Sequence, residues 1–274
     1  MVTQTSTDAA RRPLPTLRRR ATLRRSLGLL ADFRFEQSDP DRFYGHLAAD
    51  TVSILSDIWA DAGPTTSAGR ASLAGTRILD VGGGPGYFGQ AFAADGVDNY
   101  VACEPDVGEM AAAGIRLASS VRGSGMDLPF ADDVFDLTYS SNVAEHVSDP
   151  WRMADEMLRV TKPDGLMVYS YTCWLGPFGG HETGLWPHYV GGEFAARRYE
   201  KTHGHPPKNR WGESLFNVSC ADGLRYAETT QDSGDAEPVA AFPRYHPSWA
   251  WWMTKVPGLR EVGVSNLVLV LRKR

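Results

Sequence analysis

The stretch Ile78–Gly89, "ILDVGGGPGYFG", sets five glycines and a proline behind a short apolar run. Glycine inside a regular element costs about 0.5–1 kcal/mol relative to alanine, so such a cluster needs a reason. The residues leading into it, "RILDV", read as a strand, and those leaving it, "GYFGQAFAAD", read as a helix. A sharp strand-to-helix turn whose backbone must come close to a ligand supplies that reason.

The same alternation continues outward from this turn. "NYVACEP" is a strand, "DVGEMAAAGIRLA" a helix and "SVRGS" a short strand. "VFDLTYSS" follows as a strand, "DPWRMADEMLRVT" as a helix and "GLMVYSYT" as a strand. Strands separated by helical patterns of about 10–15 residues imply βαβ units and a parallel sheet. Two helical segments precede the turn, "ATLRRSLGLLADFRF" and "DPDRFYGHLAADTVSILSDIWADAG", joined to it by the linker "AGPTTSAGRASLAG". After Cys173 the alternation stops. Residues 174–235 are rich in Gly, Pro, His and Trp without a sustained period, and "EPVAAFPRYHP" and "VGVSNLVLVLRKR" close the chain as two more strands.

Composition narrows the function classes. The 274 residues have ordinary globular content and no apolar run near the roughly 20 residues needed to cross a bilayer. Three widely spaced cysteines (Cys103, Cys173, Cys220) imply a reducing, cytoplasmic compartment without a disulfide framework. Residues 1–25 hold seven arginines against one acid, so the rest of the chain carries −11 of the total −5. A nucleic-acid binder needs positive charge on its folded domain, so nucleic acid is not an expected partner. The arginine-rich start reads as a disordered basic arm, residues 1–24.

Two ligands suit a glycine turn on such a sheet. "GPGYFG" (Gly84, Gly86, Gly89) satisfies the dinucleotide pattern G-x-G-x-x-G, which keeps a nicotinamide-dependent oxidoreductase as an alternative. The longer spacing D-x-G-x-G-x-G, formed by Asp80, Gly82, Gly84 and Gly86, resembles instead the S-adenosylmethionine-binding turn of class I methyltransferases. The resemblance spans residues 76–173. It continues through "CEPD", through "GSGMDLPFADDVFDLTYSSNVAEHV" and through "DPWRMADEMLRVTKPDGLMVYS", as in the small-molecule branch of that family. The whole chain is similar to uncharacterised actinobacterial methyltransferases.

That resemblance implies a doubly wound, seven-stranded, mostly parallel α/β sheet and S-adenosylmethionine as cofactor. The domain covers residues 25–274, with a helical cap (25–63), a cofactor-binding core (76–173), an acceptor lid after the fifth strand (174–235) and final strands (236–274). Gly82, Gly84 and Gly86 let backbone amides approach the cofactor's methionine part, and Asp80 positions the turn or meets the ammonium. Glu104, followed by Pro105, takes the ribose hydroxyls, a bidentate task for a carboxylate. Ser124 stands where many relatives have an Asp for the adenine amino group; beside it are Gly125 and Met126, whose thioether suits an aromatic face. Asn142 ends the fourth strand, ahead of Glu145 and His146, where family members place cofactor and acceptor contacts. In the cap, "RFYGHLAAD" resembles the segment folded over the methionine end, with Tyr44 as the candidate contact.

Methyl transfer to a hydroxyl also needs a base. "CWLGPFGGHETGLWPHY" leaves the fifth strand at the ligand edge and offers His181 and Glu182, with His146 as a further candidate. No metal is expected: His181, Glu182, His188, His203 and His205 show no zinc spacing such as H-E-x-x-H. The expected function is methylation of a small-molecule or lipid-like acceptor, at oxygen. A non-catalytic S-adenosylmethionine-binding protein is the other alternative, and no obligate protein partner is expected. Six tryptophans between Trp174 and Trp252, with the arginine arm, make a candidate peripheral contact with the inner membrane surface.

Overall fold

Ile78–Val81 forms β1 and Tyr100–Glu104 forms β2, a parallel pair joined through α4 (Tyr87–Ala94). The computed structural model describes residues 14–35, 38–66, 69–70, 72–115 and 119–274. Five further strands complete the sheet: β3 (Ser120–Arg122), β4 (Phe135–Ser141), β5 (Thr161–Thr172), β6 (Ala236–Pro243) and β7 (Asn266–Lys273). Their order is β3-β2-β1-β4-β5-β7-β6, with β7 antiparallel to both of its neighbours. Strand order reverses between β1 and β4, which opens a crevice at their carboxyl ends.

Period-two alternation assigns each side of the sheet its helices. Ile78 packs with Ile54, Leu55 and Ile58 of α3 (Pro40–Ala62) and with Phe92 of α4. Leu79 and Val81 point the other way, onto Met153 and Met157 of α6 (Pro150–Val160). Each such side chain, fully buried, contributes about 1.5–3 kcal/mol.

Three expectations change. Residues 14–24 are not a disordered arm: they carry α1 (Pro15–Arg20) and the start of α2 (Leu23–Asp32). Leu14, Leu17 and Ala21 are buried in the same core cluster as α3, and Asp61 accepts from the Thr16 and Leu17 amides at 2.7 and 3.1 Å. Arg20 pairs with Asp57, and Arg25 grips Asp50 with two bonds of 2.6 and 2.7 Å, so these arginines serve the fold first. Residues 1–13 of the expected arm lie outside the described residues.

The segment 174–235 is also not one lid. It contains α7 (Gly192–His203) and α8 (Cys220–Ser233), and α8 belongs to the core. A Cβ on Gly223 would meet the Tyr171 hydroxyl at 2.1 Å, so α8 lies tight on β5. Its start is held by the Ser219–Asp222 capping box and by Glu261, which accepts from the Cys220 and Ala221 amides at 3.0 Å each. Residues 174–218, the part of the expected lid that precedes α8, are called the lid segment. The helix expected over 106–118 shortens to α5 (Val107–Ala111), with Gly114 at φ +66° just beyond it. A short α9 (Leu259–Gly263) precedes β7. Among the described residues, no helix is long and apolar enough to cross a membrane.

Candidate active site

The loops after β1, β2, β3 and β4 meet at one edge of the sheet. In the glycine turn, Gly82, Gly84 and Gly86 have φ of +84°, +53° and +97°, a region costly for side chains with a Cβ. A Cβ at Gly82 would strike Val143 at 2.3 Å, and one at Gly125 would strike the Met153 sulfur at 2.7 Å. Those glycines serve close packing. At Gly84 a Cβ would meet nothing within 4 Å, so the turn presents bare backbone to open space there.

Glu104 stands beside that space. Its carboxylate is buried and accepts from the Gly84 amide at 3.2 Å and the Asp106 amide at 3.1 Å. Burial raises its pKa; the two amide bonds oppose the rise, and the charges of Glu109 and Asp106 add to it. A fixed carboxylate at the end of β2, next to an open glycine backbone, fits the ribose and methionine parts of S-adenosylmethionine. Pro105 is exposed beside it, its carbonyl accepting from Arg122 at 3.3 Å.

Asp80 is tied inward. It is 2% exposed, and one carboxylate oxygen accepts from the hydroxyls of Tyr100, at 2.6 Å, and Tyr139. Burial outweighs both hydroxyl bonds and pushes its pKa up to about 7. Asp80 therefore braces the turn from beneath, through β2 and β4.

The remaining cofactor candidates frame the same edge. Tyr44 stacks on Tyr87 at 5.6 Å between ring centres, and the Tyr87 hydroxyl donates to Asp41 of α3. This brings the cap onto the helix that leaves the glycine turn. Ser124 accepts from the Met126 amide at 3.2 Å, while the Met126 carbonyl accepts from Arg152 at 2.9 Å. Asn142 has φ +58°, and its side-chain oxygen accepts from Asn266 at 2.7 Å, so its amide group is directed toward β7.

The catalytic candidates separate. His146 and His181 come together, ring centres 5.0 Å apart. Nδ1 of His146 lies 2.7 Å from the Ser214 carbonyl, and Nδ1 of His181 lies 3.1 Å from that of Gly179. Each contact places the ring proton on Nδ1 and leaves Nε2 as an acceptor. Burial lowers the His181 pKa, and the neighbouring His146 acts in the same direction against the pull of Glu145. Glu182 turns elsewhere: its two oxygens accept from the Asn209 amide and side chain at 2.6 and 2.8 Å, which clamps the lid. Burial opposes its ionisation, but these Asn209 bonds prevail and hold its pKa low.

The carboxylate that reaches the two imidazoles is Glu145. One of its oxygens accepts from the Thr172 amide at 3.1 Å; the other is buried without a partner. Leaving a buried acceptor unpaired costs about 1–3 kcal/mol, and more when it is charged. Glu145 follows the fourth strand in sequence beside His146, yet nothing local reveals that His181 joins them. His188 is buried with Nε2 on the Gly176 carbonyl at 3.1 Å, near His181 but outside the group it forms with His146 and Glu145, and His203 stacks on Tyr199.

An apolar cavity of about 310 Å³ lies between α2, α3 and the first residues of the lid, over the start of β7. Leu27, Leu30, Phe33, Leu47, Pro177 and Phe178 line it, and Phe33 stacks on Phe178 at 5.1 Å across cap and lid. Because β7 is antiparallel, its start lies at the carboxyl ends of the parallel strands, where acceptors are bound in such sheets. The His181 amide donates to the carbonyl of Phe178 at 3.0 Å, which ties the His181 backbone to the cavity wall.

Residues 79–169 match the model of a methyltransferase domain. The chain is 62% identical over 260 residues to an uncharacterised methyltransferase of Mycobacterium marinum, covering 93% of this chain and 97% of that one. It is 60% identical over 257 residues to an uncharacterised methyltransferase of Mycobacterium tuberculosis, covering 92% and 96%. An S-adenosylmethionine-dependent methyltransferase of Mesorhizobium loti is similar in structure over 73% of this chain and 92% of its own, at 18% identity and TM-score 0.49. The matched domain and the two mycobacterial relatives turn away the oxidoreductase alternative. With identity of that extent along nearly the whole of both chains, the protein belongs to the S-adenosylmethionine-dependent methyltransferases, and S-adenosylmethionine is its cofactor.

Proposed function

We propose that the protein methylates an oxygen of a small, lipid-like acceptor. The observation that carries this reading is the 310 Å³ apolar cavity, whose lining residue Phe178 accepts from the His181 amide. Its volume is that of a small-molecule site, and its lining favours an acceptor with a hydrocarbon or aromatic body. S-adenosylmethionine supplies an electrophilic methyl group. The chain holds the acceptor in line, excludes water at the Phe33–Phe178 contact, and takes the hydroxyl proton at Nε2 of His181.

Access from a membrane surface fits the same cavity. Leu23, Leu27 and Leu30 share one exposed face of α2, and Leu27 and Leu30 also line the cavity. Trp249 and Trp252 are 70% and 53% exposed nearby, since the Ser248 amide donates to the Ala21 carbonyl at 2.8 Å. The tryptophans divide here: Trp174 and Trp251 are buried, against the half-buried Trp211 and against Phe242 respectively.

Methyl-labelled S-adenosylmethionine, incubated with enzyme and cell extract and followed by mass spectrometry of the organic phase, tests the proposal. A labelled ether or ester is the expected product. Label confined to protein, nucleic acid or N-methyl products overturns it.

A further inference from the structure

We propose that Glu145, His146 and His181 bind a divalent transition-metal cation of the zinc class. Among the described residues they are the one group of three His, Cys, Asp or Glu side chains close enough to do so, their donor atoms within 4.8 Å of one another. A triangle with no side above 4.8 Å contains a point within about 2.8 Å of all three corners. Zinc–ligand distances of about 2.0–2.2 Å then require each side chain to close by less than an ångström.

The donors are set for a cation rather than for one another. Both Nδ1 atoms are occupied by backbone carbonyls, of Ser214 and Gly179, which directs the lone pairs of Nε2 outward. Metal-binding histidines are oriented in this way by a partner on the second nitrogen. Glu145 is 1% exposed, one oxygen fixed by the Thr172 amide and the other buried without a partner. What the group has left to offer is thus two Nε2 lone pairs and an unpaired carboxylate oxygen, three acceptors with no donor among them. A water offers two protons to three acceptors, whereas one cation satisfies all three.

Two imidazoles and a carboxylate suit zinc-class cations and leave a coordination position open. The ligands come from the turn after β4 (Ala144–His146) and from the lid (His181–Thr183), so a cation would fasten the lid to the sheet edge. A cation there would hold and acidify the acceptor hydroxyl in place of the His181 base. That role rests on the oxygen-methylation reading; the binding does not.

The test uses the full-length protein, stripped with chelator and titrated with Zn²⁺, and separately with Co²⁺ for its visible absorption. One cation per chain is expected. Glu145→Gln and His181→Ala should each weaken binding by at least about tenfold, with thermal melts confirming that the variants fold. The lid variant keeps the test valid should Glu145→Gln misfold. The double variant His203→Ala/His205→Ala, at an exposed histidine pair, should bind as wild type. Absence of stoichiometric binding, unchanged binding in both site variants, or loss in the surface double variant overturns the site. Methylation at nitrogen by the cation-loaded protein would instead overturn the oxygen reading and leave the site standing.

Discussion

Asp80→Asn should stabilise the cofactor-free protein above neutral pH while weakening its hold on S-adenosylmethionine. Asp80 is buried with two tyrosine hydroxyls on one oxygen, and its pKa rises from an unfolded value of about 3.9 to about 7. A raised folded-state pKa means that the folded chain binds the proton more tightly than the unfolded chain. The stability linked to that proton is fully present below about pH 4 and is lost as pH rises through about 7. Three pKa units correspond to roughly 4 kcal/mol above pH 7. Asparagine removes the charge but retains one acceptor, so about 1 kcal/mol is deducted for a weakened tyrosine bond. The variant should therefore gain about 3 kcal/mol at pH 8, or roughly 6–12 °C in Tm for a chain of this size. At pH 5 the gain should shrink to about 1 kcal/mol or less. Urea melts from pH 5 to 8.5 read the slope, and calorimetry reads cofactor affinity, expected to fall about tenfold or more with the loss of a negative charge under a cationic ligand. A variant less stable than wild type at pH 8, with the wild-type slope retained, would show that the fold stabilises the Asp80 anion and would refute the reasoning.

Glu104→Ala should weaken S-adenosylmethionine by about 1–3 kcal/mol in calorimetry, since a buried carboxylate fixed by two amides is removed. Gly84→Val should abolish cofactor binding and lower Tm through the strain of a β-branched residue at φ +53°, whereas Gly82→Val should lower Tm further, because there the new side chain also strikes Val143. His181→Ala should reduce kcat about 10²–10⁴-fold with cofactor affinity unchanged; activity within a few-fold of wild type would release His181 from the reaction. Vesicles of anionic lipid should sediment the protein at low salt, and Trp249→Ala/Trp252→Ala should leave it in the supernatant. Removing residues 1–13 rather than 1–25 is the appropriate truncation for that assay, since Leu14, Leu17 and Ala21 are core.

The glycine turn, the acid ending β2 and the strand–helix alternation were legible in the sequence because each follows from local chemistry. A glycine with positive φ, an apolar period of two and a capping residue reveal themselves within a few positions. The capping box at Ser219–Asp222 was such a signal for α8, hidden only by the irregular residues around it. The arginines of residues 18–25 read as a solvated arm because their acidic partners, Asp57 and Asp50, lie a helix away in α3. Glu182 adjoins His181 in the chain and yet serves Asn209, while Glu145, distant in sequence from His181, groups with it and with His146. Neighbours in sequence fix which way a backbone turns; which carboxylate stands beside which imidazole depends on where β4 and the lid are brought together, and only the packed sheet determines that.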